Sequence, residues 1–448
     1  MDQRLTDALE RHPSVHDWTA RRQAGRSVQV YLVGNQVENV RQVERESYEV
    51  EVFNDHQANG ETSRGAAKVP ISRADLERLP EVLETATTMA SLVNNPPWSL
   101  PEPHDMPVVE LADASLTAMD GALAAANEAA DRIRALVANE ATNDVRLSGA
   151  ELFVTTIEEE LRNSRGLTGT SLSTHVLMEI TLLARHGGQE AEYFRQAQAR
   201  RLADLRIDET VTEGSRMARD KLRAVAPQTR VGPVVMSGEA LVQMFGGNAV
   251  AETGALLNQA SAAFAYTRIS RLEVDQPIWG DREPAGDLIT VHANARLPYG
   301  VASYRFDPDG VAAEDLLVIE EGVLRARPAT QRYAQYLGLP ASGRPGMAQL
   351  MPGTTPMADL LDGDGPAYHV LAFSAPNVDE LTGDFGMEIR VGYERGPDGV
   401  RPLTGGSVTG NLFEALADVR LASETRINTA YAGPAAIRFG SLQVAGQD

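Results

Sequence analysis

The sequence predicts an α+β protein: an N-terminal antiparallel sheet flanked by helices, followed by a β-rich C-terminal domain with a helix near its start. Three features predict it. Residues 27–53 and 172–184 alternate apolar and polar side chains, the signature of half-buried strands. Residues 72–93 and 115–137 carry apolar side chains at steps of three and four, as helices do. Past residue 264, short alternating runs are separated by turn residues, and strands following helices in this way indicate α+β layering.

Taken in order, Val28, Val30 and Leu32 share one parity, as do Tyr48, Val50 and Val52, and Gly34-Asn35 supplies a tight turn between these runs. Ser72 reads as the N-cap of a helix to about Val93 with Leu76, Leu79, Leu83, Met89 and Leu92 as its stripe and Pro80 as a kink. The run from Asn94 to Pro103 reads as a linker. A second helix from about Ser115 to Val137 has an Ala-rich side suited to close packing on a sheet. Strands are expected at Ala150–Ile157, at Glu160–Asn163 across a turn, and at Leu172–Ala184, then helix from Glu190 to Val225. A strand at Pro233–Met236, a helix from Ser237 to about Phe264, and hairpins turning at Glu320-Glu321-Gly322 and at Gly396-Pro397-Asp398-Gly399 complete the pattern. The regions are therefore 1–93, 104–225 and 227–448.

Composition removes several classes of function. With 41 Lys plus Arg against 62 Asp plus Glu, the formal charge of −21 repels a phosphate backbone, so no nucleic-acid ligand is expected. No apolar run is long enough to span a membrane and the start lacks a secretory h-region, so the expected location is cytoplasmic, with no membrane partner. The absence of cysteine excludes disulfides, thiolate nucleophiles and Cys-containing zinc sites.

The residues present give little catalytic chemistry. Of eight histidines only His12 and His16 stand four apart, on a terminal segment where poor order is the simpler expectation. No G-x-S-x-G elbow, Walker A loop or G-x-G-x-x-G fingerprint occurs; Gly405-Gly406-Ser407-Val408-Thr409-Gly410 reads as a hairpin turn. Glu158-Glu159-Glu160 reads as a solvated edge. No catalytic or metal-binding residue and no cofactor are expected in this chain.

Several peptides, in order, resemble the TldD/PmbA family, also described as modulator of DNA gyrase or peptidase U62. Leu161-Arg162-Asn163-Ser164-Arg165-Gly166-Leu167 resembles its NS-x-G turn, and Pro233-Val234-Val235-Met236-Ser237-Gly238-Glu239-Ala240 its "PVV-x-(S/A)-P-E-A" start of a helix. Phe306-Asp307 with Gly310, Val318 to Leu324, Thr382-Gly383-Asp384-Phe385, Thr409-Gly410-Asn411-Leu412 and the ending Phe439 to Gly446 follow in family order. Asn163 and Gly166 are taken as fold markers, since a tight turn explains them.

In the TldD branch the helix after the "PVV" strand carries H-E-x-x-x-H and a later cysteine completes a zinc site. Here Gln243, Phe245, Asn248 and Glu252 occupy that helix and supply no imidazole, which resembles the TldE/PmbA-like branch. The resemblance implies a non-catalytic subunit of a heterodimeric metallopeptidase, paired with a TldD-like, HExxxH-bearing chain that holds the zinc, and acting on unstructured peptides. Thr382, Gly383, Asp384 and Phe385 are the candidate peptide-cleft residues, beside a plain turn role. The competing expectation is a homodimeric peptide-binding or scaffold protein that kept the fold and lost proteolysis.

Overall fold

The computed structural model describes residues 1–139, 144–246, 254–362, 367–374, 376–396 and 399–446. Strands β1 (Asp17–Val33), β2 (Gln36–Ala58), β3 (Glu61–Ile71), β4 (Val145–Asn163), β5 (Thr168–His186) and β6 (Gln189–Ala199) form one antiparallel sheet in the order β3-β2-β1-β4-β5-β6. The regions before and after the Pro-rich run thus share a single sheet, because β1 pairs with β2 on one side and with β4 on the other. Helices α1 (Gln3–Arg11), α2 (Leu79–Ser91), α3 (Met119–Ala138) and α4 (Ile207–Lys221) flank it. On α3 the buried positions are Ala122, Ala126, Ala129, Ala130 and Ile133, and they pack on Val28, Val30 and Leu32. Small side chains here let the helix axis approach the pleated surface closely.

The C-terminal half opens with β7 (Arg230–Ser237) and α5 (Glu239–Phe245), then β8 (Val291–Asn294), β9 (Asp315–Glu320), β10 (Val323–Leu324), β11 (Met347–Leu350), β12 (Ala367–Phe373), β13 (Asp384–Gly396), β14 (Gly399–Leu403), β15 (Ser407–Asn411), β16 (Val419–Leu421), β17 (Thr425–Asn428), β18 (Tyr431–Pro434) and β19 (Ala436–Ala445). One sheet runs β10-β9-β8-β11-β18-β17. The other runs β12-β7-β19-β15-β13, and β13 also pairs with β12, so these five strands close on themselves and leave no edge within the ring. A single large core, from Val234 to Val444, fills the space between these layers.

Several expectations are corrected. Residues 160–163 continue β4 without a break, and the turn falls at Ser164 to Gly166, where Gly166 takes φ 86° and Asn163 Oδ1 accepts from the Arg165 and Leu167 amides. Residues 189–199 are a strand, not a helix: Tyr193, Ala197 and Ala199 alternate inward, and pairing with β5 overrides the local helical spacing. Helix α2 starts at Leu79, with Pro80 in its first turn instead of kinking it, and it buries Leu79, Leu83, Ala86 and Ala90 while Met89 and Leu92 face solvent. The first helix of the C-terminal half ends at Phe245 with Gly246 as its cap, and two separate short helices follow, Ala255–Ala260 and Ala262–Tyr266, the latter capped by the Ser261 side chain. Pro397 and Asp398 lie outside the described residues, although β13 and β14 pair across that hairpin. The N-terminal segment is packed, with Leu5 and Leu9 buried and His16 Nδ1 accepting from the Asp55 amide.

Candidate functional site

A cleft of about 510 Å³ lies between β6 and α4 of the first half and β7, α5, β12 and β17 of the second. Clefts at such junctions are where ligand sites concentrate. Its two long walls end in strand edges. Strand β6 is the last strand of its sheet and β17 the last of another, so each presents main-chain groups on its outer side. On β6 the Arg390 side chain already takes the Phe194 carbonyl, at 3.0 Å. On β17, Thr425 to Ile427 are exposed, with Ile427 at 57%.

The floor is set by the sharp step from β7 to α5. Gly238 makes it with φ 61° and ψ −125°, a conformation open to glycine and strained for other residues. Just before it, Ser237 meets His369 of the parallel neighbour β12, Oγ to Nε2 at 2.8 Å, both buried. Burial pushes the His369 imidazole down to about 3, with the Arg395 and Arg216 charges adding to the shift, so the ring is neutral at neutral pH. Beside it the Tyr393 hydroxyl donates to Asp220 at 2.9 Å and accepts from Arg216 at 2.7 Å. Burial, then the Asp220 carboxylate it donates to, hold the Tyr393 hydroxyl up at about 12. The two hydrogen-bonded groups meet through a tilted contact of the His369 and Tyr393 rings, centroids 6.3 Å apart.

Tyr193 and Arg195 enter the cleft from β6, Glu213 from α4, and Glu239 from the first turn of α5. Helix α4 lies on the Tyr193 ring through Gly214, where an added Cβ would sit 2.8 Å from Tyr193 Cε1. Burial holds the Glu239 carboxyl above its usual range, against the opposing charges of Arg390 and Arg195. None of these four was foreseen from the sequence. Reading 190–225 as helix hid the alternation that aims Tyr193 and Arg195 to one side, and the cleft itself is made by sheets remote in the chain.

The candidate residues Thr382 to Phe385 do not line this cleft. They form a turn that Asp379 caps through the Leu381 and Thr382 amides, both at 2.8 Å. Asn411 Nδ2 ties the Thr382 carbonyl to Asp384 Oδ1, each at 2.8 Å, Gly383 takes φ 78°, and Phe385 is buried. Thr382 and Asp384 are exposed. Of the four side chains named on the helix after β7, Gln243 is bound to the Phe373 backbone through both amide atoms and Phe245 is a core side chain stacked on Tyr431; neither supplies an imidazole. Asn248 and Glu252 lie outside the described residues.

The family of PmbA/TldA metallopeptidase C-terminal domains matches residues 231–446, which hold β7, α5 and the closed ring. Residues 231–446 are a PmbA/TldD-family C-terminal domain. Metalloprotease PmbA of Escherichia coli O157:H7 is 28% identical to this chain over 188 residues, 41% of this chain and 38% of that protein's length. TldE from Thermococcus kodakarensis superposes with a TM-score of 0.78 over 99% of both chains at 17% identity. A candidate modulator of DNA gyrase from Bacteroides thetaiotaomicron VPI-5482 gives 0.80 over 99% of this chain and 98% of its own, at 16% identity. The likeness therefore extends the PmbA/TldD fold over the whole chain, N-terminal sheet included.

Proposed function

We propose that this chain is the peptide-binding, non-catalytic subunit of a TldD/TldE-type metallopeptidase. The observation that carries the proposal is the pairing of an interdomain cleft bordered by an open strand edge with a domain whose α5 helix, Glu239–Phe245, carries no histidine. An extended peptide laid along β17 gains main-chain hydrogen bonds whatever its sequence, which suits unstructured substrates. The zinc and the water it activates then belong to a TldD-like partner carrying H-E-x-x-x-H. The side chains named here bind and orient peptide and hold no metal.

Co-expression tests this reading. The chain is expected to co-purify with an HExxxH-bearing family member, to contain no stoichiometric zinc when purified alone, and to support cleavage of an unfolded peptide only within the pair. Zinc at one equivalent in the lone chain together with chelator-sensitive cleavage would overturn it.

A further inference from the structure

The Pro-rich run from Asn94 to Pro103 lies outside helix and strand, apart from one bridge at Asn95, so most of its carbonyls enter no ladder. Side chains of the helix Gln331–Leu337 take two of them. The Tyr336 hydroxyl donates to the Pro96 carbonyl at 2.6 Å, and the Gln331 and Gln335 amides both donate to the Ser99 carbonyl, at 3.0 and 2.8 Å. Arg332 donates to Asn95 Oδ1 at 2.6 Å. This helix thus already receives a proline-rich segment by the means that suit one, aromatic rings against the chain and side-chain donors to its free carbonyls.

The aromatic surface continues past this seat. Tyr266, at the end of the helix Ala262–Tyr266, has its ring 4.8 Å from that of Tyr336 and 5.8 Å from that of Tyr333, and Tyr333 meets Tyr336 edge-on at 6.1 Å. Arg332 stands over Tyr333 and Tyr336 at 5.3 and 5.4 Å. Tyr266 is 36% exposed, and Leu337, one turn beyond Tyr333, 38%. The Tyr266 and Tyr333 hydroxyls make no hydrogen bond among the described residues, and neither residue lines the cleft. We infer that Tyr266, Tyr333 and Leu337 form a docking surface for a proline-rich segment of a partner protein, bound in the polyproline II form. Its pyrrolidine rings pack on the exposed aromatic and leucine side chains, and its carbonyls, which polyproline II leaves without internal partners, accept from the two hydroxyls. Continuity fixes the occupant: the surface shares the Tyr336 ring and the helix on which this chain seats its own proline-rich run. The site is separate from the peptide cleft in chemistry as well as place, because a run of prolines has no N–H with which to join the β17 edge.

The test uses fluorescence anisotropy of the full chain with labelled decaproline and a labelled Gly/Ser peptide of equal length. Decaproline is expected to bind more tightly than the Gly/Ser peptide. Tyr266→Ala and Tyr333→Ala should each weaken decaproline roughly two- to tenfold, the loss of one aromatic contact. Tyr266→Phe with Tyr333→Phe keeps the rings and removes both donors; it should weaken decaproline as well, and it carries the test if an alanine variant does not fold. No binding of decaproline, or equal binding of the two peptides, would overturn the inference. So would decaproline binding that none of these variants changes, or that an excess of unlabelled Gly/Ser peptide displaces. Sedimentation showing a dimer of this chain that Tyr266→Ala dissociates would give the surface to a second copy and overturn it too.

Discussion

At the scale of single residues, the sharpest departures from ordinary chemistry are buried titratable groups with opposite pH signatures. Asp307 is 1% exposed; its Oδ1 accepts the Asp309 and Val311 amides at 2.9 Å each, while Oδ2 has no partner. Burial, with the neighbouring Asp309 charge, pushes its carboxyl up to about 7. A carboxyl raised on folding contributes stability that is full below its unfolded value near 4 and is lost as pH rises through 7. His175 and His369, both pushed down by burial to about 3, act the other way: their contribution is full above about 6.5 and is lost as pH falls toward 3. Asp307→Asn keeps the two accepted amides and removes the titration. Urea unfolding at pH 5 and pH 8 should show the variant gaining at least about 1 kcal/mol on the parent between those values. A constant difference would contradict the assignment. Asp307 was visible in the sequence only as part of a family peptide, since nothing in Phe306-Asp307 announces that the carboxyl has one oxygen without a partner.

At the scale of elements, α4 illustrates how one backbone position tunes the cleft. Gly214 costs helix propensity of about 1 kcal/mol relative to alanine, and the structure shows its use, because a Cβ there would fall within 2.9 Å of both the Tyr193 ring and Leu182. Gly214→Ala should therefore lower stability despite its better propensity, and should weaken peptide binding by shifting Tyr193; anisotropy and thermal melts measure the two effects separately. Period-2 elements such as β1 and β5 were legible because each keeps a buried face on one parity over many residues. Strand β6 was not legible. Its run QEAEYFRQAQA lacks β-branched residues and spaces its apolar groups ambiguously, and only the ladder with β5 selects the extended form.

At the scale of the whole molecule, the Pro-rich run from Asn94 to Pro103 acts as a clasp. Trp98 is wedged edge-on between Phe53 of β2 and Tyr336, with ring centroids 5.5 and 6.2 Å away, and Arg332 stands over it at 4.9 Å. Arg64 of β3 donates to the Trp98 carbonyl and to Asp17, tying the clasp to the first sheet. Trp98→Ala is expected to cost roughly 3–5 kcal/mol, and amide exchange should rise in the helix Gln331–Leu337 as well as in the clasp. Exchange confined to residues 94–103 would mean the clasp does not couple the halves.

The sequence by itself determined the fold class, the order of most strands and helices, and the absence of histidine from the α5 helix and of cysteine from the chain, because periodicity, turn residues and side-chain chemistry are local properties. Only the tertiary structure decided that residues 1–93 and 104–225 share one sheet, that five C-terminal strands close into a ring, and that Tyr193, Arg195, Glu213 and Glu239 meet in one cleft. Each of those depends on which strands pair across long stretches of chain, and pairing is chosen by the burial and hydrogen bonding of the whole layer, which no local pattern encodes.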